Sequence, residues 1–171
     1  MKKELREKVL EARNNISNKE FLDFEIVKNL KRLIGYNKNI LIYYPIKNEA
    51  NILGIIDSHN VFFFPYCKKE DIECRMIDGL ENLILDEKGI PSSNIKSNAK
   101  IDIVISPAIA MNVRGYRLGY GKGYYDRYLQ DKDCLKIAVV YDQFVFDEEY
   151  QDQWDVCFDY IVTDKRIIEV K

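Results

Sequence analysis

The stretch RGYRLGYGKGYYDRYL, residues 114–129, gathers four glycines, five tyrosines, three arginines and one lysine. Gly115, Gly119, Gly121 and Gly123 would let backbone N–H groups approach an anion with no Cβ in the way. Arg117 adds a planar fork of donors and Lys122 a point charge, both suited to phosphate. A helix entered near Lys122 would add free N–H groups and the positive end of its dipole. The familiar phosphate motifs fail at named positions. A G-x-G-x-x-G fingerprint starting at Gly119 needs glycine where Tyr124 stands, and a Walker A loop ending at Gly121-Lys122 meets Tyr116 and Gly123 at positions reserved for Gly and Ser/Thr. On spacing alone, a phosphate cradle and a stiff αL turn packed by its tyrosines both stay open. Tyr125, Tyr128 and Leu129 read as a buried face. A stacking platform for single-stranded RNA is a third reading, opposed by the acidic chain around it.

Two other groups of side chains suit the same chemistry. On a helix over residues 2–16, Lys2, Arg6 and Arg13 fall within roughly 40° of one another, beside the apolar stripe Leu5, Val9, Ala12 and Ile16. That row could point into a cleft or form a solvated flank. Asp126 follows the glycines, and Asp155 and Asp159 form D-x-x-x-D. Most such aspartates begin helices or turns. Beside a nucleoside triphosphate, one or two of them could hold Mg²⁺, which keeps several waters and takes phosphate oxygens.

These residues need elements to carry them. Ser17 and Glu20 form a capping box before a second helix with Phe21, Phe24, Val27, Leu30 and Ile34 on its stripe, ending at Gly35. Apolar runs at 39–45, 61–65, 102–107 and 135–141 lack polar alternation, the pattern of strands covered on both faces. Weaker strands are expected at 73–77 and 159–163, and helices at 50–58, 79–89 and 121–131. Strands alternating with helices predict an α/β domain with a mostly parallel sheet and helices on both faces. Ligands of such folds sit beyond the carboxyl ends of strands, where Tyr43, Tyr44, Ser106, Pro107 and Tyr141 fall.

Composition narrows the function classes. The 171 residues suit one domain, and 47% apolar with 32% charged residues is an ordinary globular balance. A net charge of −2 argues against a general polyanion binder. The one histidine, His59, excludes a histidine triad or multi-histidine metal centre. The four cysteines have no CxxC spacing, and a reducing cytoplasm is expected. The charged start MKKELREKVLEARNN has no apolar core behind it, and no apolar run is long enough to span a membrane.

GYRLGYGKGYYDRYL closely resembles the signature of the 5-formyltetrahydrofolate cyclo-ligase family. The resemblance extends to KKELR (2–6), YYPIKNEANI (43–52) and QWDVCFDYIVTD (153–164), and so runs almost the whole chain. It implies a three-layer α/β/α fold similar to the sugar-phosphate isomerase and CoA-transferase group, in a single domain over 1–171. It also implies ATP- and Mg²⁺-dependent closure of 5-formyltetrahydrofolate to 5,10-methenyltetrahydrofolate, with small-molecule partners only, neither nucleic acid nor membrane, and a cytoplasmic monomer. By position it assigns ATP contacts to Lys2, Lys3, Glu4, Leu5 and Arg6, and to Arg117, Leu118, Gly119, Tyr120, Gly121, Lys122, Gly123, Tyr124 and Tyr125. Tyr44, Glu49 and Tyr120, Gly121, Lys122, Gly123 and Tyr124 match folate contacts, Asp126 and Asp155 the metal positions, and Arg117 and Lys122 the catalytic cations. A non-catalytic nucleotide or folate binder of the same fold is the alternative.

Overall fold

In the computed structural model, which describes residues 1–170, the four continuous apolar runs form the centre of one sheet. Lys171, the last residue of the expected domain, lies outside the described residues. The chain begins with helices α1 (Lys2–Asn14) and α2 (Lys19–Ile34), then strands β1 (Asn39–Leu41), β2 (Val61–Lys68) and β3 (Asp71–Met76). Short strands β4 (Ile84–Leu85), β5 (Pro91–Ser92) and β6 (Ile95–Lys96) precede β7 (Ile103–Pro107). Next come β8 (Ala110–Asn112), β9 (Arg117–Leu118), helix α3 (Tyr124–Leu129) and β10 (Leu135–Val139). β11 (Val145–Phe146), β12 (Tyr160–Val162) and β13 (Ile167–Glu169) complete the order.

The main sheet runs β13-β12-β10-β7-β1-β2-β3-β6. Its five inner strands, β12 to β2, are parallel, and β13, β3 and β6 pair antiparallel at the flanks. Ile40, Leu41, Phe63, Phe64, Val104, Ile105, Ile137, Ala138 and Ile161 are essentially inaccessible to solvent, as two covered faces require. This is a mixed α/β fold with a large, mostly parallel sheet. No helix among the described residues is long and apolar enough to cross a membrane.

Several expected elements differ, each for a physical reason. No helix forms over 79–89. The Asp86 carboxylate accepts from the backbone N–H groups of Cys67, Lys88 and Ile90 and builds the β4–β5 turn, with Gly89 at positive φ. Local side-chain bonding thus outcompetes a helix whose Leu80 and Leu85 find no partner and stay exposed. The segment 50–58 keeps one 3₁₀ turn, Leu53–Ile55. Gly54 there is exposed, and a Cβ on it would meet Val27 of α2 only at ordinary contact distance, 3.5 Å. α3 starts at Tyr124 rather than 121, because Gly121 and Gly123 stand at φ +91° and +71°. The capping box does not form. Asn18, at φ 60°, precedes α2 without a side-chain cap, whereas Gly35 ends that helix as expected.

The helical stripes are also corrected. Phe21 and Phe24 are exposed, while Leu30 and Ile34 are buried beside Asp23, Ile26 and Asn29. On α1, Ala12 faces solvent and its neighbour Arg13 is buried.

A three-stranded sheet, β11-β8-β9, was not legible in the sequence. β8 and β9 form a hairpin. Asn112, fully buried, accepts from the N–H groups of Arg114 and Tyr116, and an isolated bridge ties Tyr116 to Cys157. This hairpin delivers Arg117 and the glycines to the carboxyl edge of the main sheet.

The turn of that hairpin generates a stability prediction. Gly115 stands at φ +93°, and a Cβ there would lie 2.8 Å from the Phe158 carbonyl oxygen. Gly115→Ala should lower stability by about 2 kcal/mol or more, read from urea melts. An unchanged midpoint would show that the turn relaxes freely.

Candidate active site

Two clefts open on either side of the glycine loop, and they share a wall. The first, about 560 Å³, is lined by Lys2 and Arg6 of α1, by Arg117–Gly119 and Gly121–Gly123, by Asp126, Arg127 and Gln130, and by Asp152, Trp154 and Asp155. The second, about 340 Å³, lies beyond the carboxyl ends of β1 and β7 and includes Tyr43, Tyr44, Lys47, Glu49, Pro107, Tyr120, Tyr124 and Tyr125. Arg117, Gly119, Lys122 and Gly123 belong to both.

The shared wall is thin because residue 119 has no side chain. A Cβ on Gly119 would fall 2.5 Å from both terminal nitrogens of Arg117, so the guanidinium lies directly over the bare backbone. Arg117 also donates to the Pro107 carbonyl at 3.3 Å and sits 5.1 Å from the Tyr125 ring centre. Arg6 Nε donates to the Gly119 carbonyl at 2.6 Å and fixes the loop to α1. The helix dipole contributes less than expected, because α3 has only six residues. Charged side chains supply the attraction for an anion.

Two carboxylates of the first cleft, Asp152 and Asp155, are engaged by a cation. Lys2 Nζ lies 2.7 Å from Asp152 and 3.0 Å from Asp155. Burial opposes the charge on Lys2, but the two carboxylates outweigh it and raise the ammonium above its ordinary value. Asp126 Oδ1 accepts from Val156 N at 3.3 Å. No preformed cage of three or more metal-binding side chains exists among the described residues. The donor set still fits Mg²⁺: these are hard carboxylate oxygens beside a cleft of cations, with room for phosphate and water as the remaining ligands.

The second cleft has a different character. Glu49 is 6% exposed, and its Oε1 accepts from Ile46 N at 2.9 Å. Burial raises its carboxyl from the ordinary value to about 7, against the opposing pull of Ile46 N–H, Arg13, Arg117 and Lys47. Tyr44 packs edge-on against Phe64 at 5.8 Å. Tyr124 donates to the Lys69 carbonyl at 3.0 Å, and burial pushes the Tyr125 phenol up.

The expected residues divide between the clefts. Lys2 and Arg6 reach the first, while Lys3, Glu4 and Leu5 line neither. Leu118 and Gly121 border the first cleft, whereas Tyr120, Tyr124 and Tyr125 face only the second. Tyr44 and Glu49 also reach the second, and Asp126 and Asp155 the first. Asp159 lies away from both and accepts from Lys136 N. Ser106 is fully buried, and the Tyr141 hydroxyl donates to Asp23. Asp152, an alternative to Asp155 by its place in the sequence, does line the first cleft, whereas Asp159 does not. Arg127, Gln130 and Trp154 also line it and were not expected there. For Trp154, its place directly before Asp155 is the one signal that could have found it.

Comparison with known proteins gives a consistent picture. Residues 1–164 match the model of the 5-formyltetrahydrofolate cyclo-ligase family. A 5-formyltetrahydrofolate cyclo-ligase of Mycoplasma pneumoniae is 32% identical over 174 residues, covering 96% of this chain and 99% of that one. The NMR structure of Aquifex aeolicus 5,10-methenyltetrahydrofolate synthetase superposes with a TM-score of 0.86 at 31% identity, over 99% of this chain and 93% of that one. A 5,10-methenyltetrahydrofolate synthetase structure from Mycoplasma pneumoniae gives 0.74 at 29% identity, over 95% and 98%.

Glu49 carries a pH signature. Its folded-state value lies above its unfolded one, so its contribution is fully present below the ordinary carboxylate value and is lost as pH rises through about 7. Glu49→Gln should remove that loss. The variant should be more stable than the parent at pH 8 by an amount on the order of 3 kcal/mol, with little advantage at pH 4. Parallel pH–stability curves for the two proteins would contradict this.

Proposed function

The chain belongs to the 5-formyltetrahydrofolate cyclo-ligase family and is a ligase, and from that premise we propose that its joined clefts bring ATP and 5-formyltetrahydrofolate together for phosphoryl transfer. The observation that carries the reading is the shared wall of Arg117, Gly119, Lys122 and Gly123. A triphosphate in the first cleft would direct its γ-phosphoryl at that wall, and a folate in the second would present its formyl group from the other side.

The chemistry suits these residues. A formamide carbonyl is a poor electrophile because the nitrogen lone pair feeds it. Attack of the formyl oxygen on the γ-phosphorus releases ADP and leaves a carbon–oxygen–phosphorus bridge. N10 of the folate attacks the activated carbon and loses its proton, and the carbon–oxygen bond breaks. The ring closes and phosphate departs with the former formyl oxygen. No protein nucleophile is required. What is required is alignment and neutralisation of phosphate charge.

Arg117, anchored over Gly119, would clamp the transferring phosphoryl, and Lys122 would add a mobile charge from the same wall. Lys2 and Arg6 would hold the remaining phosphates, with Lys2 exchanging its carboxylate partners for them. Asp126 and Asp155 would hold Mg²⁺, which supplies charge neutralisation at the phosphate oxygens. Glu49 would accept from the N–H edge of the pterin, with Tyr44 and Tyr120–Tyr124 bordering the ring.

Purified protein with ATP, Mg²⁺ and 5-formyltetrahydrofolate should form the methenyl product, followed by absorbance, and omission of any one component should abolish it. Folded protein that binds both ligands without turnover would instead support a non-catalytic binder.

Arg117→Ala should lose roughly 2–4 kcal/mol of transition-state stabilisation, a hundredfold or more in kcat. Arg117→Lys should recover little of it, since a point charge cannot reproduce the fork. Near-normal turnover of the alanine variant would make Arg117 merely structural.

Asp126→Asn and Asp155→Asn should each raise the Mg²⁺ needed for half-maximal rate, and the double substitution should abolish turnover. An unaltered Mg²⁺ titration for Asp155→Asn would transfer that role to Asp152.

A further inference from the structure

Tyr120 stands where the second cleft meets α1. Its hydroxyl receives a hydrogen bond of 2.6 Å from Arg13 Nη2, and the same nitrogen donates to the Lys47 carbonyl at 2.6 Å. Arg13 is 3% exposed, and Lys47 Nζ covers the Tyr120 ring at 4.8 Å. The phenol is therefore held from two elements.

The direction of the bond is fixed by chemistry. A guanidinium carries five N–H donors and no acceptor, so the Tyr120 oxygen must accept. A phenol O–H prefers the ring plane, which offers two in-plane positions at the oxygen. With Arg13 donating to the oxygen, the Tyr120 proton is turned away from the guanidinium and is left to donate elsewhere. Burial raises the Tyr120 phenol above its ordinary value, so it keeps that proton at neutral pH. Glu49 lines the same cleft and offers carboxylate acceptors, with Oε1 directed by Ile46 N–H. A donor and an acceptor in one cleft match a ligand edge on which N–H adjoins C=O.

We infer that Arg13 fixes Tyr120 as a one-way hydrogen-bond donor, and that Tyr120 and Glu49 together select pteridines with a 4-oxo lactam edge over those with a 4-amino group. The inference rests on the second cleft being the folate site. A 4-amino group would set its N–H against the Tyr120 proton. The hydroxyl cannot turn to accept, because its proton would then meet the Arg13 N–H. One buried donor facing another loses a hydrogen bond and its desolvation together. Arg13 is thus a positioning residue and Tyr120 a specificity-determining one.

The test compares folate with its 4-amino analogue, which differ at one substituent, by calorimetry without nucleotide. The readout is the ratio of their dissociation constants, which cancels general damage to the cleft. The ratio of 4-amino to 4-oxo should fall about tenfold from parent to Tyr120→Phe. Arg13→Met, which cannot donate, should lower it in the same direction, and Arg13→Lys should restore part of it. A ratio unchanged in Tyr120→Phe overturns the inference even if Arg13→Met does not fold. Failure of the parent to bind 5-formyltetrahydrofolate itself overturns the folate reading of the cleft and this inference with it, whereas binding of 5-formyltetrahydrofolate with no preference for folate over its 4-amino analogue overturns this inference alone.

Discussion

The contact on which the site depends is the Arg117 guanidinium lying on the bare backbone of Gly119. Any side chain at 119 would occupy the space of both terminal guanidinium nitrogens. Arg6 holds the same glycine through its carbonyl oxygen, so the peptide is fixed between an arginine from α1 and an arginine from its own loop. The wall between the clefts is therefore bare backbone at Gly119 and carries the positive charges of Arg117 and Lys122. A thicker wall would keep two ligands apart, and an uncharged one would leave a transferring phosphoryl without compensation.

The rest of the fold serves that wall. The buried Asn112 fixes the turn of the hairpin that carries Arg117. Parallel strands β1 and β7 end side by side, which places Tyr44 and Glu49 opposite the loop. Helix α1 is pinned at two points seven residues apart. Arg6 reaches the Gly119 carbonyl and Arg13 the Tyr120 hydroxyl, so consecutive loop residues hang from one helix face. Only Val9 and Arg13 of α1 are buried. Polar anchoring acts together with the packing of Leu5, Val9 and Leu10 on the core to set the position of this helix against the site.

The sequence carried the four central strands plainly, because continuous apolar runs have few alternative structures. The glycine–arginine stretch was legible as a turn into a helix, while spacing alone left its role open. It carried the rest less well where a local polar bond decided the outcome. Asp86 converted an apparent amphipathic helix into a hairpin by collecting three backbone N–H groups. The stripe on α2 pointed to Phe21 and Phe24, yet those rings are exposed and Asp23 is buried to accept from Tyr141. The row Lys2, Arg6, Arg13 was legible as one face, but not its division of labour: Lys2 and Arg6 border the first cleft, and Arg13 works behind the second. The β8–β9 hairpin escaped notice because its strands are too short for alternation to register.

The central claim is that one oxygen passes across the shared wall. It is tested most directly by giving the protein 5-formyltetrahydrofolate with heavy oxygen in the formyl group, together with ordinary ATP, and analysing the released phosphate by mass spectrometry. The account predicts one heavy oxygen in each phosphate formed per methenyl product. Unlabelled phosphate, with the heavy oxygen recovered in water, would mean that ATP cleavage and ring closure are separate events and would contradict it.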